Sequence, residues 1–258
     1  MKFVQNLIEY YDELFKVSEA QKNLYMELCE NFSSPVRFLR AFCGSGLFES
    51  SLSKQGHDVT GIENCEELLH TANLRRRNQL MSIRFFQMEA EDMTKFLGKN
   101  FYNIVSILNS RLLFLGGREK IRQFFFDCKT LMSPDGFLVI QCINFENRKD
   151  EKFFQLKCRE SVRAKLFSEV MTAQDESKLF SEVMTAQDES KLFSMNLETG
   201  NGKLLPIVKD IPIYPLLPSE IEDFAEDAGF KSADFFADFE KSEFTGNEEE
   251  FIVVLKTE

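Results

Sequence analysis

The chain predicts an α/β fold, with one mostly parallel sheet covered by helices on both faces. Three observations carry that expectation. Segments of strand character alternate with segments of helical periodicity between residues 36 and 145. Several of the strands, such as "YNIVSILN" and "FLVIQCINF", are apolar almost throughout, as strands covered on both faces are. A glycine turn, Gly44-Ser45-Gly46, leads from the first strand into a helix, and an acid, Glu63, ends the next strand. In open α/β sheets, ligands sit at such carboxyl ends.

The elements follow in order. Phe3, Leu7, Tyr10 and Leu14 recur at three- and four-residue steps and predict a first amphipathic helix. Ser18 and Gln21 have capping-box spacing, and Leu24, Leu28 and Phe32 continue a second helix as far as Pro35. "VRFLRAF" is the first strand, residues 47–55 a short helix stopped by Gly56, and "HDVTGIE" the second strand. Residues 65–79 predict a longer helix, and "SIRFFQME" and "YNIVSILN" the third and fourth strands. Arg118–Met132 carries the stripe Ile121, Phe124, Phe125, Cys128 and Leu131. "SPDG" predicts a turn before the fifth strand. Ser219 and Glu222 predict another capping box, on a helix that Gly229 stops. "FKSADFFADFE" and "EFIVVLKTE" around "TGN" predict an antiparallel hairpin at the sheet edge. The expected architecture is therefore a Rossmann-like, seven-stranded, mostly parallel sheet with an antiparallel edge hairpin.

Between residues 147 and 215 the pattern changes to a mainly β insertion. "KLFSEVMTAQDES" occupies Lys165–Ser177, recurs unchanged as Lys178–Ser190, and begins a third time as "KLFS" at Lys191. A single helix through both copies would turn their apolar patches to different faces, because thirteen residues are not a whole number of 3.6-residue turns. Strands joined by an extended loop are expected, with a hairpin turning at "GNG". The whole chain is expected to be one domain. Helices fill residues 1–34, the core spans 35–146 and 216–258, and the insertion spans 147–215 with its tandem repeat at 165–190.

Composition bounds the function. The 258 residues are 43% hydrophobic and 28% charged, an ordinary globular balance. A formal net charge of −11 repels phosphate backbones, which argues against a nucleic-acid partner. The one basic cluster, Arg75-Arg76-Arg77, reads as a solvated helix face. No apolar run reaches the ~18–20 residues of a membrane helix, and the start has no signal-peptide pattern. The six cysteines are scattered without CxxC spacing, which predicts reduced thiols in a cytoplasmic protein and no structural zinc.

The glycine loop narrows the cofactor. A dinucleotide loop calls for G-x-G-x-x-G at a helix N-terminus that receives a pyrophosphate. Here the third glycine position is Glu49, whose carboxylate disfavours a pyrophosphate, and no G-x-x-x-x-G-K-[ST] is present. S-adenosyl-L-methionine carries no phosphate, and its ribose still needs the acid, so it is favoured over NAD.

The stretch "FLRAFCGSGLFESSLSKQGHDVTGIENCEELLHTAN" resembles the first two motifs of class I S-adenosylmethionine-dependent methyltransferases. The resemblance continues in order through "FFQMEAEDMTKF", "FYNIVSILNSRLLFL", "LMSPDGFLVIQCINFE" and "LPSEIEDFAEDAGF". It implies that Gly44 and Gly46 flank the methionine part, that Glu63 binds the ribose hydroxyls, and that Asn64 lies near the adenine. It also implies Ala90 and Glu91 at the adenine amino edge, and Leu108 and Asn109 on the cofactor floor. Tyr10 and Tyr11, on the first helix, either close over the cofactor or only pack. Two positions depart from the family. Arg40 stands where an acid usually holds the cofactor's ammonium group, and Phe42 replaces the first glycine, to pack beside the ligand or fill its space. His57 and His70 are expected to be structural, and Asn144 to be a strand-end cap or to face the acceptor. The resemblance implies a methyltransferase acting on a small-molecule acceptor, with homodimerisation through the insertion a further expectation. Arg40 and Phe42 motivate the alternative, a non-catalytic binding or scaffold protein, and a nucleotide-linked oxidoreductase ranks third.

Overall fold

The computed structural model describes residues 6–77, 82–172 and 191–258. Residues 6–8 are helical, and after a turn the chain resumes as α1 (Tyr11–Leu14). The buried stripe is Leu7, Tyr11 and Leu14, so Tyr11 rather than Tyr10 faces inward, and Phe3 lies outside the described residues. Helix α2 (Glu19–Cys29) starts where Ser18 Oγ accepts the Gln21 N–H at 3.0 Å.

The elements β1 (Arg37–Ala41), α3 (Leu47–Lys54), β2 (Asp58–Glu63), α4 (Glu66–Arg77) and β3 (Ile83–Gln87) follow. Then come α5 (Met93–Phe96), β4 (Tyr102–Ile107), α6 (Arg118–Leu131) and β5 (Met132–Ile143). The chain closes with α7 (Pro218–Ala228), β11 (Phe230–Phe236) and β12 (Glu250–Thr257). The main sheet has seven strands in the order β3-β2-β1-β4-β5-β12-β11. The strands β1–β5 pair in parallel, while β12 runs antiparallel to β5 and β11 antiparallel to β12. Because β1 lies between β2 and β4, the strand order reverses there and a crevice opens at their carboxyl ends.

Strand periodicity divides the core. Leu39 and Ala41 of β1, with Val105 and Ile107 of β4, pack on one face against Phe125 and Phe224. Phe38 and Ile104 turn to the other face, against Tyr25, Phe48 and Phe137. Each of the larger of these side chains contributes about 1.5–3 kcal/mol by leaving water.

Two local expectations are corrected. "SPDG" is not a separate turn but lies inside β5. Asp135 there adopts φ +55°, and the β4–β5 register shifts between Tyr102 and Ile104, so the extra residues form a bulge that keeps the strand paired. The last capping box starts earlier than expected. Pro218 opens α7 and Glu220 Oε2 accepts the Leu217 N–H at 3.1 Å, because proline suits a first helical position that needs no donor.

The insertion forms β6 (Phe153–Gln155), β7 (Arg159–Glu160), β8 (Ala164–Thr172), β9 (Lys191–Thr199) and β10 (Leu204–Ile213). They make a second, five-stranded antiparallel sheet, with order β10-β9-β8-β6 and β7 beside β8. The first repeat copy enters β8 and the partial third copy opens β9, while residues 173–190 lie outside the described residues. Leu7, Tyr11 and Leu14 pack with Leu166, Leu197 and Ile207 and so tie the N-terminal helix to this sheet.

Candidate cofactor and acceptor site

Glu63 is the anchor. It ends β2 with 2% exposure. Its Oε2 accepts the Gly44 N–H at 2.8 Å, and its Oε1 accepts the Asn64 and Cys65 N–H groups, each at 3.0 Å. Three backbone donors thus hold the carboxylate in one orientation. The positive φ of Gly44 (+61°) belongs to the turn that brings its N–H there.

The two loop glycines have different neighbours. A Cβ on Gly44 would fall 2.8 Å from Tyr11 Cζ, so the α1 ring rests directly on the loop backbone. A Cβ on Gly46 would meet the Phe85 ring at 2.6 Å and the Ala72 Cβ at 3.0 Å. Gly46 therefore serves the packing of α3 on β3 and α4.

Tyr11 stacks on Phe15 at 4.6 Å between ring centroids, and the Arg111 guanidinium stands near its hydroxyl. Burial raises its phenol above the ordinary range, Arg111 opposes this, and the Glu63 charge adds to it. Next to it, Asp12 accepts from the Ser45 hydroxyl and from Arg75, and Arg75 Nε also bonds the Ser45 carbonyl at 3.3 Å. Arg75 is thus a latch between α1, α4 and the loop, not a solvated charge as expected, while Arg76 and Arg77 are exposed.

The end of β4 makes a tight reversal. Asn109 (φ +55°) and Ser110 (φ +57°) both lie in the left-handed region. The Ser110 N–H bonds the Gln141 carbonyl at 3.0 Å, and Ser110 Oγ accepts the Ile143 N–H at 3.0 Å. Such strained non-glycine backbone persists where its surroundings over-determine it, often at functional sites.

Two cavities open at this end of the sheet. The larger, of about 830 Å³, lies between the main sheet and the second sheet. Its polar walls include Glu63, Asn64, Asn109, Arg111, Arg159 and Glu248–Glu250, and its apolar walls include Phe114, Leu156, Phe193, Met195 and Ile207. Phe114 and Phe193 meet edge to face at 5.2 Å, across the gap between the two sheets. This volume is in the range of small-molecule sites. The smaller, of about 50 Å³, is lined by Arg40, Glu49, Lys16, Leu108, Asn109 and Gln141, among others. Tyr11, Phe15 and Asn109 line both cavities.

Arg40 is 7% exposed and Glu49 1%, yet Arg40 Nε and Nη1 and both Glu49 oxygens have no hydrogen-bond partner among the described residues. Burial raises the Glu49 carboxyl above its usual range, and the Arg40 charge opposes that.

Of the residues expected at a cofactor site, the structure brings Tyr11, Glu63, Asn64, Leu108 and Asn109 into these walls. Gly44 lies between Tyr11 and Glu63. Phe42 takes φ +54°, as the glycine it replaces would, and its ring packs on the main core instead of lining either cavity. A left-handed phenylalanine costs about 1–2 kcal/mol. Ala90 is buried at the start of the 90–92 turn. Glu91 is exposed and pairs with Lys120 at 2.7 Å, and neither Ala90 nor Glu91 lines a cavity. Asn144 is spent on structure, donating to the Gly246 and Glu248 carbonyls at 2.8 and 3.0 Å. His57 accepts the Val36 N–H at 3.3 Å and packs edge-on against Phe38, and His70 is exposed.

The sequence carried no signal for Arg111 or Arg75 at the site, since both arrive from distant segments. Among the described residues no cluster of His, Cys, Asp and Glu could hold a metal ion, and no helix is long and apolar enough to cross a membrane.

Comparison with known proteins agrees with this geometry. The methyltransferase-domain family model matches residues 39–140. A protein of Geobacillus sp. (strain WCH70) that carries a methyltransferase name is 32% identical over 103 residues, 40% of this chain and 40% of that relative, so the match spans under half of either. The CcbJ methyltransferase from Streptomyces caelestis superposes with TM-score 0.72 at 16% identity, covering 97% of this chain and 96% of that one. CalS10 from Micromonospora echinaspora, an amino pentose methyltransferase with S-adenosylmethionine bound, gives 0.65 at 14% identity, covering 97% of each chain. Residues 39–140 thus match a methyltransferase domain, and the chain as a whole shares its fold with solved S-adenosylmethionine-dependent methyltransferases.

Proposed function

We propose that the protein transfers a methyl group from S-adenosyl-L-methionine to a small-molecule acceptor. The observation that carries this is Glu63, pre-oriented by three backbone donors beneath a cavity of about 830 Å³. Of the roughly four lone-pair sites of a carboxylate, one on Oε2 remains beyond those bonds, as accepting a ribose hydroxyl requires. Asn64 and Asn109 stand beside Glu63 in the same wall. When bound, the cofactor supplies an electrophilic methyl group on a sulfonium sulfur. The chain's part is to align the acceptor and to exclude water. Tyr11 and Arg111 cover the Glu63 end, and the second sheet closes the opposite side.

The acceptor cavity supports a small molecule with an apolar face. Phe114, Phe193, Met195 and Ile207 offer that surface, and the Glu248–Glu250 carboxylates and Arg159 offer polar contacts at its edge. The amino pentose acceptor in the name of CalS10 fits the same class.

Titration calorimetry with S-adenosylmethionine, S-adenosylhomocysteine and NAD tests the cofactor. Binding of the first two and not of NAD is expected. Glu63→Ala should weaken binding by about 30-fold, from the loss of hydrogen bonds to a charged acceptor. Absence of heat with both sulfur ligands would sink the proposal.

A second reading is favoured by one observation, the pair of departures Arg40 and Phe42. A non-catalytic binding protein would take up the cofactor without yielding methylated product. Mass-spectrometric search for S-adenosylhomocysteine formation against amine and hydroxyl acceptor panels separates the two readings.

A further inference from the structure

The smaller cavity poses a problem that the fold alone does not explain. The inward-facing position at the end of β1 holds a cation, Arg40, instead of an acid, and the first turn of α3 holds a buried anion, Glu49. The strand thus carries a cation where the family usually keeps an acid, and the acid stands on the neighbouring helix instead. Neither is satisfied by the protein. Four of their polar atoms are buried without a partner, and no salt bridge joins the two among the described residues. Both line one space of about 50 Å³. That volume holds a few water-sized groups. Unpaired buried charges are costly, so a site that keeps two of them facing a void is built for something that carries both signs.

The position of the void says what that is. It shares Tyr11, Phe15 and Asn109 with the large cavity that holds Glu63. Ser45 and Leu47, on either side of Gly46, form part of its wall. A nucleoside anchored on Glu63 and extended past Tyr11 and Asn109, which both cavities share, would carry its far end there. The far end of the proposed cofactor is an amino acid, an ammonium and a carboxylate on one carbon.

Resting on the reading of Glu63 as the ribose ligand, we propose that the methionine head is gripped with its charges exchanged: Arg40 takes the α-carboxylate and Glu49 takes the ammonium. Lys16, also in the wall, adds a second cation on the carboxylate's account. A guanidinium suits a carboxylate through two parallel hydrogen bonds, and a carboxylate suits an ammonium. Arg40 is then no defect of the loop. The acid that the family keeps on the strand is supplied here by the helix, one turn away.

The test uses the whole chain and three ligands, read by calorimetry. S-adenosylhomocysteine has both charged groups, S-adenosyl-3-thiopropylamine lacks the carboxylate, and 5′-methylthioadenosine lacks both. In the unaltered protein, loss of the carboxylate should weaken binding by about tenfold or more, the worth of a charge-assisted pair. Arg40→Gln should weaken S-adenosylhomocysteine to a similar degree and leave S-adenosyl-3-thiopropylamine within about threefold. Glu49→Gln should weaken both amine-bearing ligands and spare 5′-methylthioadenosine. Equal affinity of the unaltered protein for all three ligands overturns the exchanged grip while leaving the nucleoside site standing. So does tighter S-adenosylhomocysteine binding in Arg40→Gln, which would make the arginine a repulsive charge. Failure of all three to bind overturns the nucleoside site itself. The ligand series on the unaltered protein decides the matter even where a variant does not fold.

Discussion

At Gly46, a position that looks like a ligand contact is held by packing. Its φ of +71° already disfavours a side chain, and the space above its Cα is filled by Phe85 and Ala72. Gly56 has a similarly positive φ, +92°, with nothing within 4 Å of where a Cβ would stand. The two glycines therefore separate backbone cost from packing cost. Gly56→Ala should lower stability by about 1 kcal/mol, the backbone term alone. Gly46→Ala should cost about 3 kcal/mol, because overpacking of a filled site adds about 1–3 kcal/mol. Urea denaturation of the two variants checks this, and equal losses would refute the packing role. Phe42 shows the complementary case. The turn imposes a glycine-like backbone on it, and the chain keeps the turn because the ring finds apolar neighbours on the main core.

At the scale of elements, the N-terminal helix is the part of the site least supported by its own sequence. Helix α1 spans only Tyr11–Leu14, too short to be stable alone. Contacts from elsewhere hold it. Asp12 is tied to Ser45 and Arg75, Arg163 binds Glu9 and Glu13, and Tyr11 rests on Gly44. Arg75→Ala should leave the overall unfolding transition nearly unchanged, since a partly exposed pair is worth about 0–1 kcal/mol. It should speed amide exchange in residues 6–15 and weaken cofactor binding by up to about fivefold. Unchanged exchange there would show that α1 is held without the latch. The strands β8 and β9 teach a different lesson, because both carry the same "KLFS" near their starts. In β8, Lys165 is exposed and Leu166 is buried at 1%; in β9, Lys191 is buried at 2% and Phe193 at 5%, with Leu192 half-buried. The Lys191 ammonium is held by the Lys149 and Glu151 carbonyls and by Thr172 Oγ1. One residue of register turns the same four side chains to opposite faces.

For the whole molecule, the second sheet is a roof over the carboxyl end of the main sheet, and the described part of the tandem repeat runs in its strand β8. Thr172 pairs with Lys191 at the end of the β8–β9 hairpin, so residues 173–190 are its connection. Removal of the second copy, residues 178–190, would leave residues 173–177, a length common in β-hairpins. Shortening the loop lowers its closure entropy, by about 1 kcal/mol on the logarithmic scaling. The deletion variant is expected to gain about that much in stability and to bind cofactor unchanged. A loss of folding or of binding would show that the second copy contributes contacts of its own.

Much of the fold was legible because it depends on local pattern. Buried strands of a parallel sheet are apolar on both faces, helices show one stripe, and the strand–turn–helix run with Glu63 marks the carboxyl ends where open α/β sheets hold ligands. The edge hairpin and the β character of the insertion were legible for the same reason. The cap of α7 was misread because serine and proline both mark helix starts. The candidate site was half legible: Glu63 and Asn109 lie at strand ends that the pattern locates. Arg75, Arg111 and the face of Glu49 were not, because their roles depend on which segments meet across the crevice. The sequence by itself determined the sheet, its order of elements and the acid in the wall of the larger cavity. Only the tertiary structure decided that Gly46 serves packing, that identical "KLFS" segments face opposite ways, and that Arg40 and Glu49 line one small void. Those facts depend on contacts between residues far apart in the chain, and no periodicity along the chain encodes such contacts.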